Sequence, residues 1–155
     1  MRYVIVCAWL LAGCKDGIAP VIEPAPPQVL NAPAEVVVGG VTVRLETYLW
    51  RDFEPFSPAD GKPLIAVLRI KSRDGTAIPS TLSVDSVWVV NGETAWVAKA
   101  TQEYPPADSS YIEFVARDGP KWGPGVTVDV VLRLRESTGD PLFLRATAQP
   151  IHRTD

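Results

Sequence analysis

The chain has 155 residues, a formal net charge of −3 and 46% apolar residues. This is the profile of a globular chain with room for one domain, not of a disordered one. The acidic balance does not resemble a nucleic-acid binder, which shows a basic surplus and a basic patch, and a single histidine excludes zinc sites built on several His and Cys.

Tyr3 to Leu11 is a short apolar run behind the basic residue Arg2, and it ends in Leu11-Ala12-Gly13-Cys14. A charged start, an apolar middle and small residues before a cut site describe a secretory leader. The run has about half of the roughly 20 apolar residues that a spanning helix needs. An ordinary leader has no need of the cysteine. Leu11-Ala12-Gly13-Cys14 resembles the lipobox of bacterial lipoproteins, over about the first fourteen residues. The resemblance implies that residues 1–13 are removed and that Cys14 becomes an acylated N-terminus. Acyl chains on Cys14 then make the membrane the first partner, and two or three chains anchor stably where one does not. Lys15 follows Cys14, which is similar to the pattern of enteric lipoproteins sent to the outer membrane. The implied location is an exported protein on a membrane, facing the periplasm if the cell has an outer membrane. A plainly secreted protein and a buried strand remain alternatives. On the lipoprotein reading Cys7 and Met1 leave with the leader, so the domain has no disulfide, no free thiol and no methionine-rich copper site.

Residues 14–33 read as the lipidated Cys and a tether, with an edge strand packed on the domain, chiefly through Val29-Leu30, as the alternative. Pro20, Pro24, Pro26, Pro27 and Pro33 break any helix, and an extended polyproline-like chain of this length reaches roughly 60 Å. Residues 34–150 read as the domain. Glu35-Val38 and Val41-Trp50 form strands about Gly39-Gly40, with Val41, Val43, Leu45 and Leu49 on one face and Tyr48 and Trp50 on the other. Arg51 to Pro63 is a loop. Leu64 to Lys71 is apolar on both faces at its start, as a central strand is. Leu82-Val90 and Glu93-Thr101 flank Asn91-Gly92, a type I′ hairpin signal that pairs Val90 with Glu93 and places Trp96 opposite Val87. Ser110 to Arg117 alternates. Asp118 to Gly125 is a Gly/Pro loop around Trp122. Val126 to Arg135 puts Val126, Val128, Val130, Leu132 and Leu134 on one face, with Val131 the apolar exception on the other. Leu142 to Gln149 follows, and Leu132 opposite Leu144 is the register that keeps both apolar faces together. Residues 151–155 are a polar tail expected to fray. The pattern predicts an all-β fold: an antiparallel β-sandwich of about seven to eight strands, with an open barrel as the alternative. It is similar to immunoglobulin-like or fibronectin-III-like modules in architecture, without the Cys…Trp…Cys spacing of a true immunoglobulin domain.

Little in the domain points to catalysis. His152 lies in the tail, where no packing holds it for a relay. Asp52, Glu54 and Asp60 share a loop and suit glycoside hydrolysis or calcium binding by type, but Pro55 and Pro58 interrupt the spacing, and Asp60-Gly61 reads as a turn. No catalytic residue, metal site or cofactor is expected. Arg133, Arg135 and Arg145 are candidates on a polar face, with Arg69 a further one from another strand, and such a cluster clasps carboxylate or phosphate; a solvated face balanced by Asp129 is the simpler expectation. Trp50, Phe53 and Phe56 lie in one strand-to-loop passage, and Trp122 in the Gly/Pro loop. Aromatic and Arg side chains anchor binding sites, whereas loop tryptophans also cap cores. The expected function is a lipid-anchored, non-catalytic envelope module that binds or scaffolds, with Trp50, Phe53, Phe56, Trp122, Arg133 and Arg145 as candidate contacts. An inhibitor of a secreted hydrolase or a glycan-binding domain is the alternative. The expected partner is an envelope protein or a glycan, not nucleic acid.

Overall fold

The computed structural model describes residues 19–104 and 109–155; Cys14 and the lipobox lie outside the described residues. Among the described residues the chain forms ten strands and one short helix: β1 (Val21–Pro24), α1 (Pro27–Leu30), β2 (Glu35–Val38), β3 (Val41–Asp52), β4 (Leu64–Ser72), β5 (Ser83–Asn91), β6 (Thr94–Ala98), β7 (Thr101–Tyr104), β8 (Tyr111–Gly119), β9 (Thr127–Arg135) and β10 (Leu142–Thr154). The all-β class is as expected.

The strands follow one hydrogen-bonded path, β1-β6-β5-β9-β10-β3-β4-β8-β7, with β2 beside β3. The path curls, so that its two halves enclose one core. Leu132, Leu144, Val87 and Trp96 from one half meet Leu49, Leu64, Leu68, Ile70 and Phe114 from the other. β10 joins the halves. Its first part pairs antiparallel with β9, and Ile151–Thr154 pairs parallel with Leu49–Asp52 of β3. The register shifts between Ala146 and Gln149, where Ala148 takes a φ of 55° and its N–H donates to Asp129 Oδ1 at 2.8 Å. A bulge of this kind bends a strand and re-aims it. Here it turns β10 from one half of the sheet to the other.

This corrects two expectations. The sheet is mixed and has ten strands, where seven to eight antiparallel strands were expected. Residues 151–155 do not fray: Ile151 is buried and Phe53 N–H donates to Thr154 O at 2.8 Å. One apolar side chain in phase with the core is enough to carry a polar pentapeptide into the sheet.

The β9–β10 register is the expected one, with Leu132 opposite Leu144, Leu134 opposite Leu142 and Val130 opposite Ala146. β4 is central as expected, between β3 and β8. The β5–β6 hairpin differs. Asn91 pairs with Thr94 and Trp96 with Val89. Gly92, at φ 64°, is therefore the first of the two turn residues, the place a type II′ turn reserves for glycine. The pairing is displaced by two residues from the expected one. An even displacement keeps every side chain on its face, so Trp96 still enters the core.

The described part of the expected tether departs most. β1 pairs with β6, Val21 opposite Val97 and Pro24 opposite Thr94. α1 then crosses the outer face of the same half-sheet, and Val29 is fully buried against Trp88, Val90, Ala95 and Val131, with Phe143 alongside. Arg145 N–H donates to Pro33 O at 2.8 Å and the Arg145 side chain donates to Leu30 O. Pro27 opens α1, where its missing N–H costs nothing. Prolines do break helices, but they also restrict the unfolded chain and so lower the entropy lost when the strap docks. Burying one valine contributes roughly 2 kcal/mol, against about 1–2 kcal/mol for ordering each backbone residue. The strap is thus held far more lightly than the core strands.

Candidate functional site

The end of the fold where β3 and β10 stop and β4 begins gathers the loop of residues 53–63, the loop of residues 120–126 and the C-terminus. Arg51 holds them together. In β3 the buried positions alternate through Val41, Val43, Leu45 and Leu49, and the same phase aims Arg51 inward, where it is only 3% exposed. Its Nε donates to Lys62 O at 2.9 Å. Nη1 donates to Lys121 O at 3.1 Å and to Gly123 O at 2.6 Å, and Nη2 donates to Asp60 O. The planar, five-donor guanidinium suits such a task because carbonyls on two loops converge on one fork. Burial lowers its pKa from the ordinary arginine value and the nearby Asp60 charge opposes this; the group remains a cation at neutral pH.

Phe53 lies at this brace. Its ring centroid is 5.0 Å from the Arg51 guanidinium carbon and 4.2 Å from that of Arg153, a position in which the ring's negative face attracts cations. Gly61 packs beneath the same ring. A Cβ there would lie 2.6 Å from it, so only glycine permits the approach. Phe56, further along the loop, is fully exposed. Trp122 is half-buried and packs on the main core, the arrangement of a core cap.

Two of the three loop carboxylates, Asp52 and Asp60, are each held by a lysine. Asp52 accepts from Lys62 Nζ and, at 2.9 Å, from Glu54 N–H. Asp60 accepts from Lys121 Nζ at 2.6 Å. The hydrogen bond from Lys62 holds Asp52 below the usual carboxylate range, and the one from Lys121 does the same for Asp60. Both are set as anions. The proton donor of a glycosidase needs the opposite, a raised pKa. Among the described residues, no group of three or more His, Cys, Asp or Glu side chains is placed to hold a metal ion, and no helix is long and apolar enough to cross a membrane.

Beside the brace, on the outer face of the sheet, lies a row of rings. Tyr48 is 47% exposed. It stacks on His152 with centroids 4.9 Å apart and planes 16° apart, and meets Trp50 at 5.4 Å. Trp50 and His152 are directly paired across β3 and β10. The half-buried Ile65 and Val67 of β4 lie opposite Trp50 and Tyr48.

The arginines do not form a free cluster. Arg133 and Arg135 share Asp85, whose carboxyl burial alone would raise; the hydrogen bonds from the two guanidiniums outweigh this and hold it below its ordinary value. Arg145 pairs with Asp129 and ties down the strap. Arg69 is on the other half of the sheet, paired with Glu113 at 2.6 Å. Arg133 is balanced by Asp85 and Arg145 by Asp129, but the face is only partly solvated, because the strap covers Arg145.

The structure therefore brings Trp50, Phe53 and Phe56 to one end, puts Trp122 beneath it, and sends Arg133 and Arg145 to the other half. Arg51, Tyr48 and His152 are the members that sequence reasoning did not select. Tyr48 and Trp50 sharing a strand face, and Arg51 continuing the buried phase, were the signals for two of them. His152 had none, because its place depends on the β10 bulge. At the far edge, where β6 leaves its half-sheet, a groove of about 220 Å³ is lined by Ala19, Pro20, Val21, Trp96, Lys99 and Arg117, among others. In comparisons with known proteins, the chain matches no protein family, no curated protein and no solved structure.

Proposed function

We propose that the protein is a lipid-anchored, non-catalytic module of the cell envelope that binds or scaffolds a partner through the Arg51 end of its domain. The anchor part rests on Leu11-Ala12-Gly13-Cys14. The binding part rests on one observation above all: Phe56 stands fully exposed on a loop that a buried arginine braces from within. A rigid loop with an exposed ring loses little entropy on binding, and loops on a rigid scaffold commonly carry recognition. An immunoglobulin-like arrangement belongs to the same proposal, supported by the two facing halves of the sheet.

A second reading, a glycan-binding or hydrolase-inhibiting domain, is favoured by the Tyr48, Trp50 and His152 row, since aromatic faces stack on sugars. Cross-linking and affinity capture from the native membrane test both. The wild type is expected to recover an envelope protein that Phe56→Ala loses at least about tenfold, the scale of one modest hot spot. Recovery of a cell-wall glycan, lost with Tyr48→Ala and kept with Phe56→Ala, establishes the second reading instead. A partner retained equally by both variants contradicts both surfaces.

A further inference from the structure

The strap has a consequence for where the domain sits. We propose that its docking presents the β1–β6 edge to the lipid bilayer as the membrane-facing surface of the domain. The inference rests on the lipoprotein reading and names the geometry by which that anchor acts.

Chain length sets how far the domain can stand from the membrane. If Cys14 carries the acyl chains, its backbone lies at the membrane interface. Were residues 14–33 a free tether, the domain would float up to about 65 Å away in any orientation. The docked strap removes most of that reach. Val21 is already paired with Val97 of β6, and Ala19 and Pro20 line the groove beside Lys99 and Arg117. Only the step from Cys14 to Ala19 remains, at most about 18 Å of extended chain. The edge that receives Ala19 is therefore kept near the bilayer.

The chemistry of that edge suits a lipid surface. All four residues of β1 are exposed, and Val21 and Ile22 are 57% and 43% exposed. Lys99 is exposed and makes no ion pair among the described residues. Its neighbours in the groove are Arg117, paired with Glu103, and Asp118. Short apolar side chains beside an exposed lysine match the boundary between headgroups and acyl chains. The same groove takes Arg117 and Asp118 from β8, the neighbour of β7, and β2 lies four strand spacings from β7 in that half-sheet, or roughly 20 Å further away.

The test uses the full acylated protein in phospholipid nanodiscs doped with a gadolinium-chelate lipid. Paramagnetic relaxation of each amide falls with the inverse sixth power of its distance from each gadolinium, and so steeply with its height above the headgroups. Amides of Val97 and Lys99 are expected to relax about tenfold or more faster than those of Val36 and Val37, given the edge-to-edge spacing. Val29→Asp, which places a charge in the strap's one buried position, is expected to remove the contrast and to speed hydrogen exchange at Ile22 and Glu23 while leaving the β9 amides protected. Equal enhancement at both edges in a protein whose Cys14 is acylated overturns the membrane-facing edge and leaves the anchor intact. A Cys14 with no acyl chain overturns both.

Discussion

Removing Ile151 to Asp155 is expected to destabilise the domain by at least about 3 kcal/mol, the range for losing one large buried aliphatic side chain. Ile151 is in the core at 2% exposure, and both its backbone groups are engaged by Gly125-Val126: its N–H donates to Val126 O and its carbonyl accepts from Gly125 N–H. The same deletion removes the parallel pairing of Ile151–Thr154 with Leu49–Asp52, which closes the curl between the two halves, and leaves Phe53 N–H without its acceptor. For a domain of this size the loss is a fall of roughly 10 °C in Tm. Thermal unfolding followed by circular dichroism measures it. A Tm unchanged by the deletion means that the tail is not part of the fold. Ile151→Ala alone is expected to account for most of the fall, because the ladder hydrogen bonds are largely exchanged for water.

Arg51→Ala is the second large effect. Four carbonyls, of Asp60, Lys62, Lys121 and Gly123, converge on its guanidinium. Buried acceptors left without a donor cost about 1–3 kcal/mol each, and water reaching the loop end reduces the sum. A net loss of about 3 kcal/mol is expected in urea unfolding, on that same scale. The location of the damage separates this from a general core defect. Hydrogen exchange is expected to rise in residues 53–63 and 120–126 and to stay unchanged in β9 and β5. Arg51→Lys is expected to recover only part of the loss, because an ammonium on a single stem does not span carbonyls on two loops. Uniform exchange across the domain in Arg51→Ala would contradict the brace.

How much of this was legible before the fold was seen depends on how local the cause was. The β9–β10 register follows from matching two alternating apolar rows, and one-residue errors are costly there. The strap was legible in part. Val131 was apolar on a face otherwise polar, and Trp88 and Val90 shared that face; such a patch needs a cover, and Val29 is the cover. The prolines pointed the other way, because their local preference is extended whether or not the chain is docked. The hairpin pairing differed by two residues because Asn-Gly and Gly-Glu both offer a glycine at a turn position, and an even displacement keeps Trp96 in the core with either turn. Nothing local marked β10 as long. Its second half joins β3 because a bulge redirects it and Ile151 finds the core, both effects of tertiary context. The candidate site was readable where it follows strand phase, as with Trp50, and not where it needs that crossing, as with His152.

The central claim is an exported domain fixed to a membrane through Cys14. The mass of the N-terminal peptide, taken from protein extracted from its native membrane, tests it most directly. A peptide beginning at Cys14 and carrying a diacylglyceryl group, with or without a third acyl chain on its amine, is the expected result. A peptide beginning at Met1, or one with an unmodified Cys14, would contradict it.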